Sequence, residues 1–348
     1  MTDKTMADFH HPTKMPALQP LVSVIIPTRQ EKATIGKCLD SILANSYPPD
    51  KLEIIVVDGM STDGTREIVK GYITQYPMIK LLDNPRRITP VALNIGIKAA
   101  QGNVIVILGA HSFVDEDFLA QSVRALSEHP EADCVGGIAK AIDDTPWQQA
   151  IKVAFKSPFS TGSSKYSEKK GWVTTVVYGA YRKEAFEKYG LFDERFIRAQ
   201  DYEFNLRIVR AGGKIYQDPA IRSYYHPRSS PAKLFNQYFQ YGNWKMQVLM
   251  KHGMLSIKNF IPPLYFLAII GTALGALGSH ISLYILFFLV GSYLLGLVAI
   301  AFWERKRNAA GNPFLISIVL FLIHTGFSMG FYKGAINALV EKVFRKGH

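Results

Sequence analysis

"NVIVILGAHSFVDEDFL", residues 103–119, contains an apolar run from Val104 to Leu108. The run is long enough for one buried strand and too short for a helix. It stops at Gly109-Ala110-His111, and Asp115, Glu116 and Asp117 follow. In an open α/β sheet, ligands bind beyond the carboxyl ends of the strands. This strand therefore offers glycine and then histidine where a nucleotide–metal site wants a carboxylate.

The same pattern recurs outward from this stretch. "VSVII" (22–26), "EIIVV" (53–57) and "IKLL" (79–82) read as further strands. Helices are expected over about 32–44, 64–75, 90–100 and 116–127. Short apolar runs alternating with helical segments predict parallel strands joined by crossovers, hence an α/β sheet open to ligand at one edge. Residues 143–171 read as an excursion with a Ser-, Gly- and Lys-rich mobile loop around Ser160–Gly171. "WVTTVVYGAY" (172–181) returns as a strand, and "KIYQD" (214–218) is another. Between them "AQDYEFNLRIVRAGG" (199–213) is a helix stopped by Gly212-Gly213.

After about residue 255 the apolar residues become nearly continuous. "IPPLYFLAIIGTALGALGS" (261–279) and "ISLYILFFLVGSYLLGLVAIAFW" (281–303) carry no charge, and each is about long enough to cross a hydrocarbon core. "PFLISIVLFLIHTGFSMGFY" (313–332) is a weaker third candidate because of His324 and its small residues. The polar segment Met1–Pro20 lacks a signal-peptide core, so the large N-terminal part is expected in the cytoplasm. "ERKRN" (304–308) agrees with a cytoplasmic loop. Three full spans would put Lys342, Arg345 and Lys346 outside, against the positive-inside rule, so two and three spans both stay open. The expected division is a flexible tail at 1–20, an open α/β domain at 21–230, an amphipathic interfacial segment at 231–258 and a membrane region at 259–348.

Charge and motifs exclude several classes. The net charge is +12, but no basic helix is interleaved with aromatics, which argues against nucleic acid. Cations near spans suit an anionic membrane surface and pyrophosphate substrates. Cys38 and Cys134 have neither metal-ligand spacing nor a disulfide framework, and are expected to pack as small apolar groups. The Gly-rich dinucleotide fingerprint and the phosphate loop are both absent, which disfavours hydride transfer and P-loop phosphotransfer. Strand one ends at Pro27, with Glu31 positioned to reach a base or ribose. Strand two ends in "DGMSTDGT", where the Asp58 carboxylate can accept hydrogen bonds from a ribose or base edge. "STDGT" alone would equally serve as a turn with Thr62 or Asp63 capping a helix.

Five stretches in order carry a resemblance: "VSVIIPTRQEKATIGKCLDSIL" (22–43), "EIIVVDGMSTDGT" (53–65), "NPRRITPVALNIGIKAAQGNVIVI" (84–107), "GAYRKEAFEKYGLFDERF" (179–196) and "QDYEFNLRI" (200–208). Together they resemble the family 2 glycosyltransferases, inverting enzymes with a GT-A fold, over residues 21 to about 250. "DGMSTDGT", "GAH" and "HTGFSMGFYKG" look similar to the membrane-bound branch that builds succinoglycan-type exopolysaccharides.

The resemblance implies a GT-A domain followed by C-terminal transmembrane helices. Pro27, Glu31 and Asp58 would line the uridine pocket of a UDP-sugar, Asn94 would hold nucleotide or sugar, and Arg87 would lie near the phosphates. The Asp-x-Asp position, Asp-Ala-His in the similar exopolysaccharide enzymes, reads Gly109-Ala110-His111 here. It implies a weakened Mn²⁺ or Mg²⁺ site held by His111, with His226 in "SYYHPRSS" as a second imidazole. Asp115 and Asp117 are read as helix N-terminal charges. Asp201 would be the general base, in a motif that usually reads Glu-Asp and here has Gln200 first. Inverting transfer needs such a base to take the acceptor's proton; the bland alternative for Asp201 is a helix cap.

The expected activity is transfer from a UDP-sugar to a lipid-linked saccharide or polysaccharide precursor at the cytoplasmic face of the inner membrane. The amphipathic 231–252 segment would lie at the interface, and a polysaccharide-assembly complex would be a further partner. No Gln-x-x-Arg-Trp signature is present, which favours single-sugar addition. The competing expectation, resting on Gly109 and Gln200, is a catalytically impaired subunit that binds nucleotide or scaffolds a complex.

Overall fold

In the computed structural model, residues 19–160, 168–253 and 257–345 are described. The expected Ser160–Gly171 loop and N-terminal tail fall largely outside them. The first strands are β1 (Val22–Thr28), β2 (Leu52–Asp58), β3 (Ile79–Asp83) and β4 (Val104–Ile107). They alternate with helices α1 (Ile35–Leu43), α2 (Thr65–Gln75) and α3 (Thr89–Ala99), as the sequence pattern predicts. These strands pair in parallel in the order β3-β2-β1-β4. All seven residues of β2 are buried, as a strand covered on both faces requires.

Beyond β4 the sheet departs from the all-parallel expectation. The later elements are β5 (Ser112–Val114), α4 (Phe118–Glu128), β6 (Cys134–Ala141), α5 (Pro146–Lys156), β7 (Gly171–Val173) and β8 (Val177–Arg182). They are followed by α6 (Lys183–Tyr189), α7 (Gln200–Arg210) and β9 (Ile215–Tyr225). β8 runs antiparallel to both β4 and β6, so the full order is β3-β2-β1-β4-β8-β6-β9-β5, with β7 on β9. The single strand expected at 172–181 is thus two, and β6 has no counterpart among the expected strands. Its Gly136 and Gly137 dilute the apolar signal, yet Gly137 is needed: a Cβ there would stand 1.6 Å from the Ile221 carbonyl oxygen.

The described chain divides into two compact units. The first comprises residues up to 138 with 169–192 and 205–223. Ile54, Val56, Leu39, Phe118 and Leu126 lie in its core. Glu53 is buried there and accepts bonds from Ser23 Oγ, Lys80 Nζ and the Gln101 N–H. Burial pushes its carboxyl up, but those donors outweigh it and hold the group below the ordinary value. Cys38 and Cys134 are both buried, as expected.

The second unit comprises 139–168, 193–204 and 224 onward. It contains α5, α8 (Pro231–His252), α9 (Ile261–Gly275), α10 (His280–Asn308) and α11 (Pro313–Arg345). Ser230 Oγ accepts from the Lys233 N–H at the start of α8, and Gly253 at φ 73° ends it. α8 lies against α11 across Gly242, Gly326, Gly330 and Gly334. A Cβ on Gly330 would stand 1.9 Å from the Phe239 carbonyl oxygen, and one on Gly242 2.0 Å from that of Phe327. Small residues four apart let two helix backbones approach this closely.

Among the described residues α10 and α11 are long and apolar enough to cross a membrane. α10 leaves its apolar surface outward, whereas over half of the most apolar window of α11 is buried. The ranking of the three expected spans therefore changes. The 313–332 block belongs to a long helix, and the 261–279 block supplies only the 15 residues of α9, short of a full crossing.

Candidate functional site

In the first unit the registers Thr28↔Asp58 and Asp58↔Asp83 align the carboxyl ends of β1, β2 and β3. Asp58, the last residue of β2, is fully buried. Its Oδ2 accepts from the Ser61 N–H at 2.9 Å and Arg66 Nη1 at 2.8 Å, and its Oδ1 from Ser61 Oγ at 2.6 Å. Arg66 turns its other nitrogen to Asp83 at 2.8 Å. A carboxylate offers about four acceptor sites, so three donors leave Asp58 room for one more. Arg66 looks like any surface arginine of an amphipathic helix, and nothing in the sequence marks it as the partner of Asp58.

The segments after β1 and β2 are laced together. The Gln30 N–H donates to Ser61 Oγ, the Glu31 N–H to Thr65 Oγ1 and the Lys32 N–H to Asp63 Oδ2. Asp63 also accepts from the Thr65 N–H and hydroxyl, a local turn just ahead of α2, whose N-cap position is Gly64 and carries no side-chain cap. Glu31 takes the Thr34 hydroxyl on Oε2 at 2.7 Å, while its Oε1 lies 3.2 Å from His111 Nδ1. The fold thus joins Glu31 to a half-exposed histidine 80 residues away. Pro27 is the sixth residue of β1, half-buried, beside Val57.

Arg87 is exposed at φ 59°, and its carbonyl accepts from Arg29 Nη1. Two guanidinium groups therefore border this edge. Asn94 is placed differently. It is buried in α3, donating to the Phe192 carbonyl and accepting from the Phe192 N–H, both at 2.9 Å. Its amide ties residues 98 positions apart within the unit.

At Gly109 a Cβ would meet Ser112 Oγ at 3.3 Å, Tyr178 at 3.6 Å and His111 at 3.7 Å. Packing does not demand a glycine there beyond a shift of a few tenths of an ångström at Ser112. The Cys38 thiol beneath, toward the Gly109 carbonyl, is pushed up to about 12 by burial and then by the Glu31 charge, so it stays protonated.

In the second unit Asp201 stands half-buried in the first turn of α7. Glu203, two residues on, has no exposed surface. It accepts from Lys251 Nζ at 2.7 Å and faces His252 Nε2 at 2.9 Å. Lys251 also reaches Asp193 at 2.7 Å. Hydrogen bonds from Arg195, and then from Lys251, hold the Asp193 carboxyl well below the usual range. Glu203, Lys251 and His252 carry no motif that sets them apart in the sequence. His226 Nδ1 lies 3.5 Å from Asp144 Oδ2, both exposed. His111 and His226 therefore each face an acid in their own unit. Among the described residues no three His, Cys, Asp or Glu side chains gather as a metal-ligand set.

The profile of a family described as glycosyl transferase family 2 matches residues 23–190. A dolichyl N-acetyl-alpha-D-glucosaminyl phosphate 3-beta-D-2,3-diacetamido-2,3-dideoxy-beta-D-glucuronosyltransferase of Methanococcus voltae is 34% identical over 90% of this chain and 97% of its own length. The succinoglycan biosynthesis protein ExoA of Rhizobium meliloti is 28% identical over 89% of this chain and 93% of its own. Among solved structures, the mannosyltransferase PcManGT from Pyrobaculum calidifontis, in complex with GDP-Man and Mn²⁺, superposes with a TM-score of 0.61. It is 21% identical, covers 90% of this chain and 88% of its own, and at that identity shows the shared GT-A fold.

Proposed function

The chain belongs to glycosyl transferase family 2, and from that premise we propose that it moves a sugar from a UDP-sugar to a lipid-linked saccharide or polysaccharide precursor. The observation that carries this reading is the edge built at β1 and β2. There a buried Asp58 keeps one acceptor site, Glu31 faces His111, and Arg29 and Arg87 stand exposed. Asp58 and Glu31 would accept from the nucleoside, and the two arginines would meet its diphosphate.

Asp201 would be the base. The acceptor hydroxyl oxygen forms a bond to the anomeric carbon while the bond from that carbon to the diphosphate oxygen breaks. The hydroxyl proton passes to the Asp201 carboxylate, and UDP leaves with the electron pair. Asp201 at the start of a helix pinned by Glu203 suits a base whose position must be fixed.

Glu31 and His111 fit a divalent cation as an incomplete pair of donors. Such ions commonly take one or two protein ligands and fill the remaining positions with phosphate oxygens and water. Bound there, Mn²⁺ or Mg²⁺ would neutralise the departing diphosphate. The imidazole favours Mn²⁺. Asn94, bonded at both ends of its amide to Phe192, is better read as shaping the pocket wall.

Two helices able to span a bilayer support action at a membrane, with the basic last turn of α10, helical where the sequence suggested a loop, on the cytoplasmic side. Calorimetry on the detergent-purified chain, titrating UDP and GDP with Mn²⁺, Mg²⁺ or chelator, tests the donor. Metal-dependent UDP binding is expected. Asp201→Asn should retain that binding and lose transfer by at least about a hundredfold. Wild-type turnover in that variant removes Asp201 as the base. Failure of both nucleotides to bind under any of these conditions moves the chain to a scaffolding subunit.

A further inference from the structure

We infer that the C-terminal end of α10 is a binding site for the phosphate head group of an anionic phospholipid. The helix carries exposed Phe287, Phe288, Leu294 and Leu295 along its apolar length and then reaches Phe302 and Trp303, also exposed. Glu304-Arg305-Lys306-Arg307 follows directly. An aromatic pair above a basic collar marks the level where hydrocarbon meets head groups.

The three cations are not alike. Arg307 is engaged: its Nη2 lies 2.9 Å from Glu304 Oε2 and donates to the Lys156 carbonyl at 3.1 Å, and its guanidinium sits 4.8 Å from the centre of the Trp303 ring. Glu304 is wholly buried and also receives Asn308 Nδ2. Its charge is thus turned inward. Arg305 and Lys306 are exposed, and no acid among the described residues pairs with either.

These two cations line a shallow, open surface groove of about 590 Å³ with Phe302, Trp303 and Ala309. A second, of about 450 Å³, shares Arg305 and Ala309 and runs along the turn to Pro313. Phe314 closes edge-on against Phe302 at 6.3 Å. Two unpaired cations would suit any phosphate, and guanidinium matches it with paired N–H donors. The apolar flank continuous with the exposed face of α10 adds a place for acyl chains, which inorganic phosphate does not use. Charge complementarity and that continuity together select the lipid. The site does not depend on the transfer reaction proposed above.

The test is quenching of tryptophan fluorescence in the full chain, in nonionic detergent micelles, by phosphatidylglycerol or phosphatidylcholine with brominated acyl chains. A cation near an anionic lipid surface strengthens association about fivefold. Phosphatidylglycerol should therefore reach half-quenching at about 25-fold lower mole fraction than phosphatidylcholine. Arg305→Gln/Lys306→Gln should lose that preference, and Trp303→Phe should lose the selective part of the quenching. Lys37→Gln/Lys70→Gln, which removes the same net charge from the first unit, should keep both. Equal quenching by the two lipids overturns the proposal, as does a preference that survives Arg305→Gln/Lys306→Gln or is lost in Lys37→Gln/Lys70→Gln. Displacement by millimolar inorganic phosphate assigns the groove to free phosphate instead. Stoichiometric displacement by a polyprenyl phosphate assigns it to an acceptor lipid. Either result refutes the phospholipid.

Discussion

Lys251→Met removes one ammonium from a carboxylate that has no access to water. Glu203 is fully buried, and Lys251 Nζ stands 2.7 Å from its Oε1 and 2.7 Å from Asp193 Oδ2. The methionine keeps the apolar stem and deletes the charge, so packing changes little. Breaking a buried ion pair by removing one partner costs about 3–5 kcal/mol, because the remaining charge is left uncompensated. Lys251 is 31% exposed and His252 stays 2.9 Å from Glu203, so the lower end, about 3 kcal/mol, is expected. At roughly 2–4 °C per kcal/mol for a unit of 150–250 residues, thermal unfolding followed by circular dichroism should fall by about 6–12 °C. Lys251→Met/Glu203→Gln should recover most of that loss, since no unpaired carboxylate then remains. The first turn of α7 also carries Asp201, so Lys251→Met should lower kcat for transfer and leave donor KM nearly unchanged. A drop below about 2 °C, or a double variant as unstable as the sum of the singles, refutes the coupling.

Gly330→Ala sets a methyl 1.9 Å from the Phe239 carbonyl oxygen and should destabilise by about 1–3 kcal/mol. Gly71→Ala, an exposed position on α2 with no atom within 4 Å of the added Cβ, should instead stabilise by up to about 1 kcal/mol. A single thermal series compares the two, and equal effects would mean the α8–α11 approach does not constrain residue 330. The Asp193 carboxyl is depressed by Arg195 and Lys251, so its contribution is fully present above the ordinary aspartate value of about 3.9. That stability is lost as pH falls through the lower folded value. Asp193→Asn should therefore flatten the stability–pH curve below about pH 4, measured by acid unfolding between about pH 2 and 5.

The half of the sheet from β1 to β4 was legible because each of its strands is built on a short, mostly apolar run between helices, and such runs are local signals. The antiparallel β8 on β4 was not, because that pairing joins Val104 to Arg182 and no short window contains both. Asp58 could be singled out as an acid directly after four apolar residues. Its dependence on Arg66 appears only when α2 folds back toward β2, and Glu203 looks like one more acid of an amphipathic helix until α8 delivers Lys251 to it. The repeat of glycine at 326, 330 and 334 was a readable signal of close helix packing, and the structure shows its use against α8. Asn94 shows another limit of local reading: its bonds to the backbone of Phe192, 98 positions on, lie outside any short window.

Gly109 poses the sharpest question about the candidate cation site, and the geometry around it supplies a test. The glycine is not forced by its surroundings, since a Cβ would meet neighbours at 3.3 Å or more. A carboxylate missing from this strand end leaves the His111 imidazole as the donor there. Glu31, 3.2 Å from His111, then brings the negative charge from the other side of the sheet edge. On this reading Glu31→Gln should weaken Mn²⁺-dependent UDP binding by about an order of magnitude and metal-free binding much less, because an amide oxygen still accepts from the nucleoside but is a poorer partner for a divalent ion than a carboxylate. Gly109→Asp should strengthen the metal-dependent term, and in the Glu31→Gln background it should restore most of the loss. If Glu31→Gln weakens binding equally with metal and with chelator, Glu31 serves the nucleoside alone. If Gly109→Asp changes neither, residue 109 does not face the ion, and the diphosphate charge must be met by Arg29 and Arg87.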